Sequence, residues 1–193
     1  AKTIDERRYL LNSVDKIIFI TKWVKKKFFE GLPSLSDNKT QIIYHSIDPF
    51  KKKIKKNKQI IFVGKLNESK GYDLYCKAMF KILDSNKDWN AYSIGEEKRF
   101  QNFPTHSRHK SLGQISHSKV LEYLGKSEIA IIPSRWEEPF GRTAMEASSR
   151  GCATIISKKG GLPETTDHAI KLKKVDVKNI ENETIKLIKN KNF

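Results

Sequence analysis

Two glutamates, Glu138 and Glu146, stand with seven residues between them in the run Pro133-Ser134-Arg135-Trp136-Glu137-Glu138-Pro139-Phe140-Gly141-Arg142-Thr143-Ala144-Met145-Glu146-Ala147. Carboxylates spaced across a Pro-Phe-Gly turn suggest a ligand site. Upstream, Ile129 to Ile132 reads as a short buried strand ending at Pro133; downstream, Thr143 to Arg150 has helix-forming composition and stops at Gly151. Glu138 therefore falls in a strand-to-helix loop. A helix starting near Gly141 turns its unpaired amides and positive dipole end toward the same crevice, an arrangement that suits a phosphate. Glu146, about a turn further in, can reach something extended from that phosphate, such as a ribose hydroxyl pair.

A second loop carries charge of the opposite sign. Gly64-Lys65-Leu66-Asn67-Glu68-Ser69-Lys70-Gly71 sets two lysines five residues apart after an apolar strand, enough to neutralise a diphosphate. It has neither the P-loop order nor the GxGxxG dinucleotide pattern, and lysines in so basic a chain also serve as solvated surface. Arg142 can meet a phosphate or face solvent. His45, His106, His109, His117 and His168 show no ligand spacing, so no metal site is expected. Trp136 is expected to pack beside its loop, and Cys152, at the start of a strand, to lie in the core.

The elements that must position these residues alternate. Helices at Ile4 to Asn12 and Lys22 to Glu30, the second capped by Thr21, flank a strand at Lys16 to Ile20; a further strand at Gln41 to Tyr44 leads to Pro49. Lys51-Lys52-Lys53-Ile54-Lys55-Lys56-Asn57-Lys58 reads as a flexible linker that could contact an anionic surface, and a boundary is placed within 49–58. Beyond it come strands at Gln59 to Val63, Ala91 to Ile94, Ile129 to Ile132 and Ala153 to Ile156. Between and after them lie helices at Tyr72 to Ser85, Ser116 to Gly125, the Glu146 segment and Ile180 to Asn190. Such alternation predicts an α/β fold, a doubly wound parallel (Rossmann-like) sheet that binds ligands beyond the carboxyl ends of its strands.

Composition narrows the classes. The chain has 193 residues and a net charge of +16; of its 38 basic residues only seven are arginine, a pattern of scattered solvated lysines. Such charge also attracts anions: a phosphorylated substrate, an anionic membrane or a nucleic acid. No apolar run approaches the ~20 residues of a membrane-spanning helix. Two cysteines without CxxC spacing point to a reducing, cytoplasmic setting, with peripheral contact at the inner membrane face as an extension of the charge.

Three motifs occur in one order: Gly64-Lys65-Leu66 with Lys70-Gly71, the Pro133 to Gly141 run with Glu146-Ala147, and Gly160-Gly161-Leu162-Pro163-Glu164. Together they resemble the C-terminal half of a glycosyltransferase family 4 enzyme of GT-B fold, over roughly residues 15 to 190. The resemblance implies the end of an N-terminal domain at 1–48, a basic interdomain linker at 49–58 and a donor-binding domain at 59–193. The rest of the N-terminal domain and the acceptor site would lie outside the chain, which by itself would bind donor without efficient transfer. The resemblance also implies a nucleotide-diphosphate sugar as donor, a glycan or lipid-linked acceptor, retention of anomeric configuration and no metal or other cofactor. In that scheme Lys65 and Lys70 hold the diphosphate beside Gly64, and backbone amides of Phe140, Gly141, Arg142 and Thr143 complete the cradle. Glu146 takes the ribose, Glu138 is the catalytic carboxylate at the sugar, and the loop Leu112-Gly113-Gln114-Ile115 meets the base. Two departures stand out: Lys65 occupies a position where arginine is usual, and Gly95 is followed by Glu96-Glu97 where a second glycine is common. The rival reading, a basic α/β module that binds nucleic acid, has the charge as its only support.

Overall fold

The computed structural model describes residues 3–32, 38–48, 50, 54–97 and 105–190. Pro49 and Lys51 to Lys53 of the expected linker lie outside the described residues. The N-terminal elements are α1 (Ile4–Ser13), β1 (Ile17–Phe19), α2 (Lys22–Phe29) and β2 (Thr40–Ile42), with β1 and β2 paired in parallel. Thr3 and Glu6 form a reciprocal capping box on α1. The Arg7 guanidinium then donates to the carbonyls of Phe28 and Glu30 at 2.7 and 2.8 Å, tying α1 to the end of α2.

The larger sheet contains β3 (Asn57–Val63), β4 (Asn90–Ile94), β5 (His109–Ser111), β6 (Ser127–Ile132), β7 (Ala153–Ile156) and β8 (Ile170–Lys171). Its order is β5-β4-β3-β6-β7-β8, and every pairing is parallel. Strand order reverses between β3 and β6, the place where a crevice opens beyond the carboxyl ends of a doubly wound sheet. Both faces are covered. Ile60, Phe62, Ile129, Ile131 and Ile155 pack under α3 (Tyr72–Ser85) and α6 (Val177–Lys189). Ile61, Ala130, Ile132 and Ile156 pack under α4 (His117–Lys126) and α5 (Arg142–Ser149). Consecutive apolar residues in β3 and β6 are thus explained by burial on alternate faces.

The structure differs from the sequence reading at several boundaries. β3 starts two residues inside the expected linker, because Asn57 pairs with Ser127. Lys56, just before it, is docked: its ammonium donates to the carbonyls of Leu124, Ser127 and Arg150 at 3.3, 2.8 and 2.7 Å, and burial lowers its pKa. The short edge strands β5 and β8 offer too few residues to reveal a period. Ser116, expected as the first helical residue, stands at the N-cap of α4; its hydroxyl makes no capping bond and meets Ser118 Oγ at 3.2 Å. α6 begins before Ile180, at Val177, where Asp176 caps the Asn179 amide at 2.7 Å.

His109 offers a pH test of this packing. Its ring lies against Tyr72, Tyr75 and Phe80, with Nε2 3.1 Å from Ser93 Oγ. Burial, with a smaller contribution from His106, lowers its pKa from 6.5 to about 4. The unfolded chain therefore takes up a proton first as pH falls; the stabilisation is complete above about pH 6.5 and is lost progressively toward about pH 4. Urea unfolding should show the native protein losing on the order of 2 kcal/mol more than His109→Gln between those limits, the partial exposure of the ring keeping the value below the full shift. Parallel pH profiles for the two proteins would contradict this.

Candidate functional site

Loops following β3, β4 and β6 meet at the carboxyl edge of the sheet. Gly64 N–H donates to Ile94 O and Gly95 N–H to Gly113 O, both at 2.9 Å, so the first two loops and the Leu112 to Ile115 segment lie side by side. Asn67 caps a 3₁₀ turn at Glu68–Lys70, accepting from Lys70 N–H at 3.1 Å and Ser69 Oγ at 2.8 Å. Ser69 O in turn accepts from the amides of Arg135 and Trp136 at 2.8 and 2.9 Å, which joins the lysine loop to the glutamate loop through backbone. The Arg135 guanidinium also grips Asp73 with bonds of 2.6 and 2.8 Å. Burial opposes the Asp73 charge, but Arg135 more than offsets this and holds the carboxyl below its ordinary range.

This seating sets Lys70 Nζ 2.6 Å from Glu138 Oε1, which also accepts from Ser134 Oγ at 2.9 Å. The Glu138 side chain is only 14% exposed. Next to it α5 begins at Arg142, with Gly141 at its N-cap and no side chain capping it, so its first amides are free for a ligand. A cleft of 140 Å³ is lined by Lys70, Ser134, Glu138, Gly141, Arg142 and Thr143, with Gly64 and Phe140 also on its wall. One turn along α5, buried Glu146 receives His117 Nε2 at 3.0 Å and Arg142 Nη2 at 3.5 Å. Glu146 lines a neighbouring cavity of 310 Å³ with His45, Asp48, His117, Arg142 and Arg150. Arg142 lines both cavities.

Seven of the ten sequence-derived site residues meet at the cleft: Gly64, Lys70, Glu138, Phe140, Gly141, Arg142 and Thr143. Glu146 lies in the adjoining cavity. Lys65 is exposed and lines neither space, and Ile115 packs with the apolar cluster of α4. Trp136 is 58% exposed, so most of its side chain faces outward instead of packing beside the loop, while its backbone amide is bonded to Ser69 O. Cys152 is buried, with Sγ donating to Leu124 O at 3.0 Å and Ser127 O at 3.3 Å. Three residues escaped the sequence reading: Ser134, His117 and Glu164. Ser134 stood inside the motif, but its bond to Glu138 needs a turn whose geometry the spacing does not disclose. Glu164 closes the Gly160 to Glu164 motif, but its bonds to the start of α2, like that of His117 to Glu146, join distant segments and cannot be read locally.

Among the described residues, no three His, Cys, Asp or Glu side chains converge as a metal group, and no helix is long and apolar enough to cross a membrane. A larger cavity of 790 Å³ opens near the amino ends of β6 and β7, lined by Lys58, Asp88, Trp89, Glu128, Ala153 and His168 among others. Volume alone would favour it. The free helix N-terminus and the paired Lys70 and Glu138 belong to the smaller cleft, and these are the features with chemistry.

Comparison with known proteins identifies the family and the fold. The model of the family described as glycosyl transferases group 1 matches residues 45–193. The chain belongs to the group 1 glycosyltransferases. A protein from the cps region of Klebsiella pneumoniae is 26% identical over 162 residues, 82% of this chain and 42% of its own length. The phosphatidylinositol N-acetylglucosaminyltransferase GPI3 subunit of Saccharomyces cerevisiae is 25% identical over 207 residues, 95% of this chain and 45% of its own. The chain thus spans less than half the length of these curated relatives. A solved glycosyltransferase from Rickettsia africae superposes with a TM-score of 0.80 at 17% identity, covering 97% of this chain and 57% of that one. Anabaena HepE, solved in complex with UDP and glucose, gives 0.76 at 16% identity, covering 98% and 59%. These superpositions establish the Rossmann-like, GT-B-type fold.

The contact between the two loops can be tested at Gly71. Its φ is +74°, and a Cβ there would stand 2.2 Å from Pro133 O, at the base of the glutamate loop. Gly71→Ala should cost roughly 2–3 kcal/mol and lower Tm by about 4–10 °C in a calorimetric scan. An unchanged Tm would show that the loops do not approach this closely.

Proposed function

We propose that this chain is the donor-binding half of a retaining, metal-independent glycosyltransferase of family 4. The observation that carries the reading is that Glu138 and Glu146 flank one uncapped helix N-terminus with Lys70 beside it. A diphosphate over the first amides of α5 gains hydrogen bonds and the favourable end of the helix dipole, while Lys70 on the cleft wall supplies cationic charge and exposed Lys65 would have to swing inward to add its own. Glu146 takes the ribose hydroxyls and Glu138 the hydroxyls of the sugar, beside its anomeric carbon. The complexes of HepE with UDP and UDP-glucose support a donor of this class.

Transfer breaks the bond between the anomeric carbon and the diphosphate oxygen, and the electron pair leaves with the diphosphate. An acceptor hydroxyl forms the new bond and gives its proton to the leaving phosphate. Positive charge develops on the sugar ring and negative charge on the leaving oxygen; the Glu138 carboxylate favours the first, and the lysines and α5 amides the second. Those cations and the helix end do the work that a divalent ion would otherwise do, which is the basis for metal independence. Retention rests on the resemblance of the E-x7-E run. A glycan or lipid-linked acceptor would be presented by a second domain, and the net charge of +16 would favour work at the inner, anionic membrane face. Family membership displaces the nucleic-acid reading.

Thermal shift with millimolar UDP, GDP and ADP sugars tests the assignment. At least one should raise Tm by several degrees, since ligand at about 100 times Kd adds about 2.7 kcal/mol to the folded state. Glu146→Ala should abolish the shift without a large change in the unliganded Tm. No shift from any nucleotide sugar would contradict the reading.

A further inference from the structure

The run Gly160-Gly161-Leu162-Pro163-Glu164 joins the glutamate loop to the N-terminal elements. Its first half holds the loop by backbone: Gly160 bridges Glu138 in parallel, and Gly161 N–H donates to Glu138 O at 2.6 Å. Neither glycine has room for a side chain. A Cβ on Gly160, whose φ is +63°, would lie 2.3 Å from Glu138 O; one on Gly161 would lie 2.5 Å from Pro139 O and 2.7 Å from Thr21 Cγ2.

The second half is a 3₁₀ turn, Leu162–Glu164, that carries the Glu164 carboxylate to the start of α2. There Oε2 accepts from Lys22 N–H at 2.8 Å and from the Tyr44 hydroxyl at 3.0 Å, while Oε1 accepts from Trp23 N–H at 2.9 Å. Fully buried Thr21 accepts from Val24 N–H at 3.1 Å and donates to Pro139 O at 2.9 Å. Three amides that a helix start leaves unpaired are therefore satisfied, two of them by a carboxylate 142 and 141 residues away in sequence. A negative charge there is also favoured by the helix dipole. Contacts from two directions converge on one stretch of backbone: Gly161 on Glu138 O, and Thr21 on Pro139 O. On the cleft side, Lys70 and Ser134 fix the Glu138 carboxylate but not its main chain.

We propose that Glu164 is a positioning residue, a latch that locks the N-terminus of α2 to the Gly160-Gly161 strap and so sets how far Glu138 reaches into the cleft. Its consequence for sugar affinity rests on the donor-binding reading; the latch itself does not.

Glu164→Ala and Glu164→Gln in the 193-residue chain test this by amide hydrogen exchange near pH 7 and by ligand titration. In Glu164→Ala the amides of Lys22, Trp23 and Gly161 should exchange about tenfold faster or more, with those of β3 and β6 unchanged. Glu164→Gln, which keeps one acceptor oxygen, should restore part of the protection. The ligands are UDP-glucose, GDP-mannose or ADP-glucose, whichever most raises the Tm of the unaltered chain, and its free nucleotide. Glu164→Ala should weaken the sugar-bearing form about three- to tenfold and the free nucleotide less than about twofold. Unchanged exchange at Lys22 and Trp23 would overturn the latch, as would equal acceleration throughout β3 and β6, the mark of a folding defect. Faster exchange at α2 with Gly161 protection and the affinity ratio both intact would overturn the positioning role. If the unaltered chain binds no nucleotide sugar, the donor reading fails, and exchange at Gly161 still decides the latch.

Discussion

The Lys70 to Glu138 contact depends on a topological fact: β3 and β6 are neighbours in a parallel sheet although more than sixty residues separate them. Parallel pairing sends both strands out of the same edge, and the reversal of strand order between them opens space for a ligand. The loops that follow carry opposite charges, and the 2.6 Å bond from Lys70 Nζ to Glu138 Oε1 closes them across that space. With the pair 29% and 14% exposed, removing either member would leave the other partly desolvated. The pair therefore orients the cleft more than it stabilises the fold.

Around this contact the site is built in layers. Backbone bonds from Arg135 and Trp136 to Ser69 set the separation of the loops, and the Asp73 to Arg135 fork makes the seat rigid. α5 then contributes two functions from one short helix: its start presents free amides to the cleft, and Glu146 one turn later faces the adjoining cavity. His117 and Arg142 meet on Glu146 at 3.0 and 3.5 Å, so the second carboxylate is also held, though by longer contacts than the first. The contrast with α2 is physical. Both helices start near the glutamate loop, but Thr21 and Glu164 occupy the α2 terminus, which leaves α5 as the one of these two open to an anion.

Much of this was legible in the sequence. Apolar runs such as Gln59 to Val63 and Ile129 to Ile132 announced strands buried on both faces, and their alternation with helices gave the doubly wound sheet. Glu138, Glu146, Lys70 and the α5 start could be placed at one edge because the order of strands and loops requires it. What could not be read depends on contacts between distant segments. Lys56 looked like part of a solvated linker because nothing local shows the three carbonyls that converge on its ammonium. Trp136 was expected to pack beside its loop, yet it is 58% exposed, with its backbone amide bonded to Ser69 O in the other loop. His117 reads as an ordinary helix-start residue until α4 is packed against α5.

A crystal structure of the chain soaked with the sugar nucleotide that binds it, prepared in chelator, tests the central claim most directly. The diphosphate should lie within hydrogen-bond distance of the Arg142 and Thr143 amides and of Lys70, with ribose at Glu146 and sugar at Glu138. A diphosphate bound at the opposite edge, in the cavity lined by Lys58 and His168, would contradict the account.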